Sequence, residues 1–194
     1  ICSMKTNCLL AGLLVSSMAF AQTNPPIMSD NPLLQPFPTL HQTPPYDKIK
    51  VDHFLPAIKE AMVEGRKEID AIVNNPAKPT FDNTIVALER AGDLLSRITP
   101  IMFHLNGAET TPDLQKSIRE VSPLLTEYGN DISLNEKLFA RVKAVWDQRD
   151  KLKLGTEEAM LLEKSYKSFS RNGANLNAAD KEKLRGMNKE LSQL

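Results

Sequence analysis

Residues 79–95 read Pro79-Thr80-Phe81-Asp82-Asn83-Thr84-Ile85-Val86-Ala87-Leu88-Glu89-Arg90-Ala91-Gly92-Asp93-Leu94-Leu95, and this stretch decides the fold class. Thr80 or Asp82 can offer a side-chain oxygen to the free amides of a helix start. Behind them Ile85, Leu88, Gly92 and Leu95 recur at three- and four-residue steps, which predicts one apolar helical face. Pro100 is expected to kink or end that helix, because it lacks a donor and its ring crowds the preceding turn. Strand-like alternation of useful length competes nowhere in the chain, and there is no repeat period.

The same period continues on both sides. Upstream, Phe54, Ile58, Ala61, Gly65, Ile69 and Ile72 form a stripe, with Asp52 as a candidate cap and Pro56 tolerated in the first turn. Asn74-Asn75-Pro76 stops it. Downstream, Gly107 to Thr110 reads as a turn. Thr111-Pro112-Asp113 then combines a capping hydroxyl, a proline where its missing N–H costs nothing, and an acid at the positive helix end. Leu114, Ile118, Val121, Leu125, Tyr128 and Ile132 follow, with a bend expected at Pro123. A helix from Asn135 carries Leu138, Val142, Val145 and Trp146, and the next follows Thr156-Glu157-Glu158 with Ala159, Leu162, Tyr166 and Phe169 inward. Asn172-Gly173 caps its end. Asn177 and Asp180 open a last helix, whose Leu184, Met187, Leu191 and Leu194 keep register without a stop signal. The expectation is an all-α, amphipathic multi-helix array truncated at its C-terminal end, and residues that alone are marginally stable or self-associating.

The first residues follow another logic. Met4-Lys5 is a basic start, Leu9 to Val15 an apolar run too short to span a bilayer, and Ala19-Phe20-Ala21 a small-x-small cleavage site before Gln22. This predicts a secretory signal peptide cleaved after Ala21, upstream of which Ile1-Cys2-Ser3 precede the true start; a buried core helix is the alternative. Cys2 and Cys8 fall in this segment, so the mature chain would depend on no disulfide, and Cys8 precedes the apolar run and does not suit a lipid anchor. A soluble exported protein, periplasmic and without membrane anchor, is the expectation. The predicted organisation is residues 1–21 as upstream residues and signal peptide, 22–50 as a Pro-rich extended segment, and 51–194 as a helical domain. In the Pro-rich segment the prolines deny helix. It is either a disordered linker or a strap laid across the helices by Leu33, Leu34, Phe37, Leu40 and Tyr46.

Twenty-four Lys and Arg balance 24 Asp and Glu with mixed signs, which leaves no electrostatic footprint for nucleic acid. His41, His53 and His104 form no close pair of metal-ligand spacing, and ordinary packing or surface histidines explain them. Glu157-Glu158 favours the macrodipole of a first turn, so no catalytic dyad is needed there. Lys181 to Arg185 alternates signs on a helix and reads as a solvated face. Ser96, Ser117 and Ser170 lack the setting of a nucleophile. No catalytic, cofactor-binding or metal-ligating residue is assigned.

The order of blocks resembles the front of the bacterial peptidyl-dipeptidases, in the thimet oligopeptidase and neurolysin family of zinc peptidases. The blocks are Asn31-Pro32-Leu33-Leu34, Pro44 to Ile49, His53 to Ile58, Pro79 to Leu95, Thr111 to Gln115, Asn135 to Phe139, and Tyr166 to Ala174. The resemblance implies a two-lobed helical enzyme whose deep channel admits short unstructured peptides, this chain forming part of one wall. It further implies zinc in the full-length parent, held by a His-Glu-x-x-His helix and a later glutamate, with the motif glutamate activating a bound water. No such spacing surrounds the three histidines, so the fragment alone is expected to bind no zinc and to be inactive, its partner being the catalytic remainder of the same chain. Removal of C-terminal dipeptides is the implied reaction, and relatives cut internally. The alternative is a free-standing exported binding or scaffold protein without catalysis.

Overall fold

The computed structural model describes residues 30–193. The proposed signal segment, Cys2, Cys8 and Leu194 lie outside them. Seven helices follow in order: α1 (Phe54–Val73), α2 (Ala87–Arg90), α3 (Asp93–Ala108), α4 (Pro112–Ser133), α5 (Glu136–Trp146), α6 (Thr156–Arg171) and α7 (Ala178–Leu191). The described residues contain no strand.

Helix α1 is the spine, because its two halves enter different cores. Phe54, Ala57, Ile58, Ala61 and Met62 pack with Leu95, Ile98, Ile101 and Met102 of α3 and with Leu114, Val121 and Tyr128 of α4. Further along, Ile69 and Ile72 join Phe81, Ile85, four residues of α5, and Leu162 and Phe169 of α6. Every member of the predicted α1 stripe is buried, so the 3.6-residue period set this packing. Asp52 does not cap α1. It is exposed, and the entry is instead a tight turn, Val51–His53, in which His53 Nδ1 accepts from the Lys50 amide at 3.1 Å.

The deciding stretch is helical but broken. Thr80 opens it: its hydroxyl accepts from the Asn83 amide (3.1 Å), and Asn83 Oδ1 accepts from the Thr80 amide (2.9 Å). Phe81–Val86 then runs in wide π-type turns before α2. One continuous face from Ile85 to Leu95 is corrected, since Ala91 is extended and Gly92 stands at φ +82°, where a side chain is strained. The free Gly92 amide donates to Glu68 Oε2 at 2.7 Å, so α1 holds the break in place. Pro100 neither ends nor interrupts α3, which continues to Ala108. Just before each helix-interior proline a hydroxyl donates to the carbonyl four residues back: Thr99 to Leu95 (2.8 Å) and Ser122 to Ile118 (2.9 Å).

The predicted caps at Thr111, Asn135 and Asn177 all form, accepting from Leu114, Leu138 and Asp180. Helix α6 starts differently: Gly155 is its cap residue, and its amide donates to Glu158 Oε2 at 2.8 Å. Ala159, expected inward, is exposed. At the other end Gly173 takes φ +92° and the Ala174 amide reaches the Phe169 carbonyl (3.1 Å), a Schellman closure.

Residues 30–50 lie on the helices as a strap. Leu33 is fully buried and Phe37 nearly so, both in the first core. Arg97 fastens them: it donates to the Leu33 carbonyl at 3.0 Å and stacks 4.9 Å over the Phe37 ring. Leu40 and Tyr46, expected in the same contact, are 79% and 49% exposed. Pro32–Leu34 and Leu40–Gln42 form short 3₁₀ turns in a segment expected to be extended.

Candidate functional site

Helix α7 belongs to neither core. It is held by polar side chains, and this overturns the reading of Lys181 to Arg185 as a solvated face. Lys181 is only 6% exposed and donates to Glu136 Oε1 at 2.9 Å. That hydrogen bond, with the ammonium charge, holds the Glu136 carboxyl below its usual range. Arg185 pairs with Asp131 (3.0 Å), whose other oxygen receives Arg66 of α1 at 3.0 Å. Asn188 donates to Asn130 (2.7 Å). Asp131 thus ties three helices. Replacing it with asparagine removes the negative charge that both partly exposed arginines face, at a cost of about 1 kcal/mol given their exposure. The expected readout is local: amide exchange speeds up in α7 with little change in α3. Uniform acceleration across all helices would contradict it.

Sequence reasoning missed these ties, because nothing in spacing shows that residues 45 to 65 apart will meet. The same holds for Arg141 of α5, which donates to the carbonyls of Asn75 (2.9 Å) and Ala77 (3.3 Å) and to Asn83 Oδ1 (3.3 Å), fixing the loop after α1.

A cleft of about 470 Å³ lies between α2, α4 and α6. Leu88, Ile132, Leu161 and Phe169 supply its apolar surface, and Glu89 and Lys164 stand in its lining. It can accept apolar side chains. Beside it Trp146 stacks on Tyr166 (4.7 Å, 4°), Tyr166 on Phe139, and Phe139 on Phe169, while Arg149 lies 4.4 Å over Trp146.

The three histidines stay apart in role as well. His41 and His104 are exposed, and His53 is engaged with the Lys50 amide. Among the described residues no group of three or more His, Cys, Asp or Glu could hold a metal, so the zinc that the resemblance implies finds no donor set among them. Glu157 and Glu158 are exposed, and Glu158 is occupied in capping. Ser96 is exposed, and Ser170 has its hydroxyl buried without a hydrogen-bond partner.

Burial, reinforced by Glu68 and opposed by Arg66, pushes the Tyr128 phenol above the ordinary tyrosine value. The folded state therefore keeps that proton more tightly than the unfolded chain. Its contribution to stability is complete below the ordinary value of about 10 and is lost as pH rises through the folded-state value. Urea unfolding at about pH 9 and pH 11 should show a decline that Tyr128→Phe reduces. An equal decline in both proteins would contradict this.

Residues 58–181 match the family description Neurolysin/Thimet oligopeptidase, N-terminal domain. The chain belongs to this family. Among its curated relatives are two proteins named dipeptidyl carboxypeptidase. The one from Salmonella typhimurium is 44% identical over 86% of this chain and 25% of its own length. The one from Escherichia coli is 43% identical over 84% of this chain and 24% of its own length. Oligopeptidase A of Escherichia coli is 27% identical over 84% of this chain and 24% of its own. The chain spans about a quarter of the length of these relatives. The described residues are thus all-helical, as the periodicity predicted, and they pack around two cores.

Proposed function

We propose that this chain is the N-terminal helical part of an exported zinc metallopeptidase that removes dipeptides from the C-termini of short, unstructured peptides. The observation that carries this is the gap in identity, 44% to a dipeptidyl carboxypeptidase against 27% to oligopeptidase A over comparable stretches. The helices would form part of a channel wall, and the zinc ligands would come from the remainder of the polypeptide. Met4-Lys5, the apolar run and Ala19-Phe20-Ala21 support export to the periplasm.

The test uses the longer polypeptide that contains this chain and N-terminally blocked peptides of about 4 to 10 residues, short enough to enter a channel. Mass spectrometry should find successive loss of C-terminal dipeptides, abolished by a chelator and restored by zinc. Internal cleavage would place the protein with the oligopeptidases instead, and no zinc-dependent hydrolysis would end the peptidase reading. The 194-residue chain by itself is expected to hydrolyse none of these peptides.

A further inference from the structure

The polar ties of α7 fix its rotation. Lys181, Arg185 and Asn188 are spaced four and three residues apart, so they form one stripe, and all three bond inward to α4 or to the start of α5. With that stripe inward, Met187 and Leu191 are left 64% and 69% exposed, one helical turn apart. Helix α7 is therefore amphipathic in the wrong sense for a surface helix, burying a lysine and showing solvent its larger apolar side chains. Leu184 begins the same apolar strip. A Cβ on Gly173 would lie 2.7 Å from Leu184 and 3.0 Å from Leu176, and Leu176 is itself 39% exposed. The strip so formed runs from Leu176 through Leu184 and Met187 to Leu191.

We propose that this strip is an interface within the parent polypeptide, covered by an amphipathic helix from the part of the protein that follows the N-terminal domain. The proposal rests on the reading of the chain as one part of a longer peptidase. One observation favours that occupant over a second copy. The matched description is an N-terminal domain, and the relatives carry three-quarters of their length beyond the matched share, so chain of the same polypeptide is available to cover the strip. The inward polar stripe makes α7 dependent on outside apolar contact, since among its residues only Lys181 is buried.

The experiment is thiol labelling of the longer polypeptide carrying Met187→Cys, Leu191→Cys or, as an exposed reference on another side of α7, Glu182→Cys. Each site is read by the mass of its labelled peptide. Cys at 187 and 191 should label at least about tenfold more slowly than Cys at 182, because labelling then requires local opening. Equal rates at the three positions would overturn the proposal. Protection that vanishes on dilution to the monomer would overturn it in favour of a second copy. Peptide hydrolysis on the same samples separates the two readings: an active enzyme with fast labelling at 187 removes only the interface, and an inactive one with slow labelling keeps it.

Discussion

Phe54→Ala should destabilise this domain by about 3–5 kcal/mol, the range for deleting a buried aromatic ring. Phe54 is fully buried in the first core, at the start of α1, where α1 is packed with α3, α4 and the Leu33 strap. Its ring has no route to collapse, because Ala57, Ile58 and Ala61 beside it are also at zero exposure. A typical domain is stable by only about 5–15 kcal/mol, so the variant should be near its limit at room temperature. Urea unfolding followed by far-ultraviolet circular dichroism measures it. A cost under about 1 kcal/mol would mean that this core is not packed as described.

Gly65→Ala should be the second large effect, from crowding rather than from a cavity. An added Cβ would lie 2.2 Å from Tyr128 Oη and 3.2 Å from its Cζ, with Gly92 Cα at 3.5 Å. Here α1 and α4 meet against the break between α2 and α3, and a stiff ring fills the crossing. Overpacking of this kind costs about 1–3 kcal/mol. Tyr128→Phe in the Gly65→Ala background removes the oxygen that clashes and should recover part of the loss. A double-mutant cycle with no coupling would show that Gly65 and Tyr128 do not touch.

The part of this architecture that local chemistry controls was legible from residue spacing. The α1 stripe, the caps at Thr111, Asn135 and Asn177 and the closure at Gly173 depend on neighbours within a few positions. What escaped depends on distant partners. Gly92 looks like one more small residue on an apolar face until Glu68, 24 residues away, takes its amide and fixes the break. Lys181 and Arg185 look solvated until Glu136 and Asp131 meet them across the fold. Met187 and Leu191 keep the period of a core face but stand outward, because the polar stripe beside them decides which way α7 turns. The family resemblance was legible from the order of short blocks, and the cleft between α2, α4 and α6 was not, since its lining comes from three separate segments.

The most direct test of the account is the sequence of the polypeptide that contains this chain, read onward from the N-terminal domain. A zinc peptidase predicts a helix-compatible His-Glu-x-x-His, followed by a further glutamate placed to complete the ligand set. A long continuation without that motif would contradict the proposed function, while leaving the helical domain and its family intact.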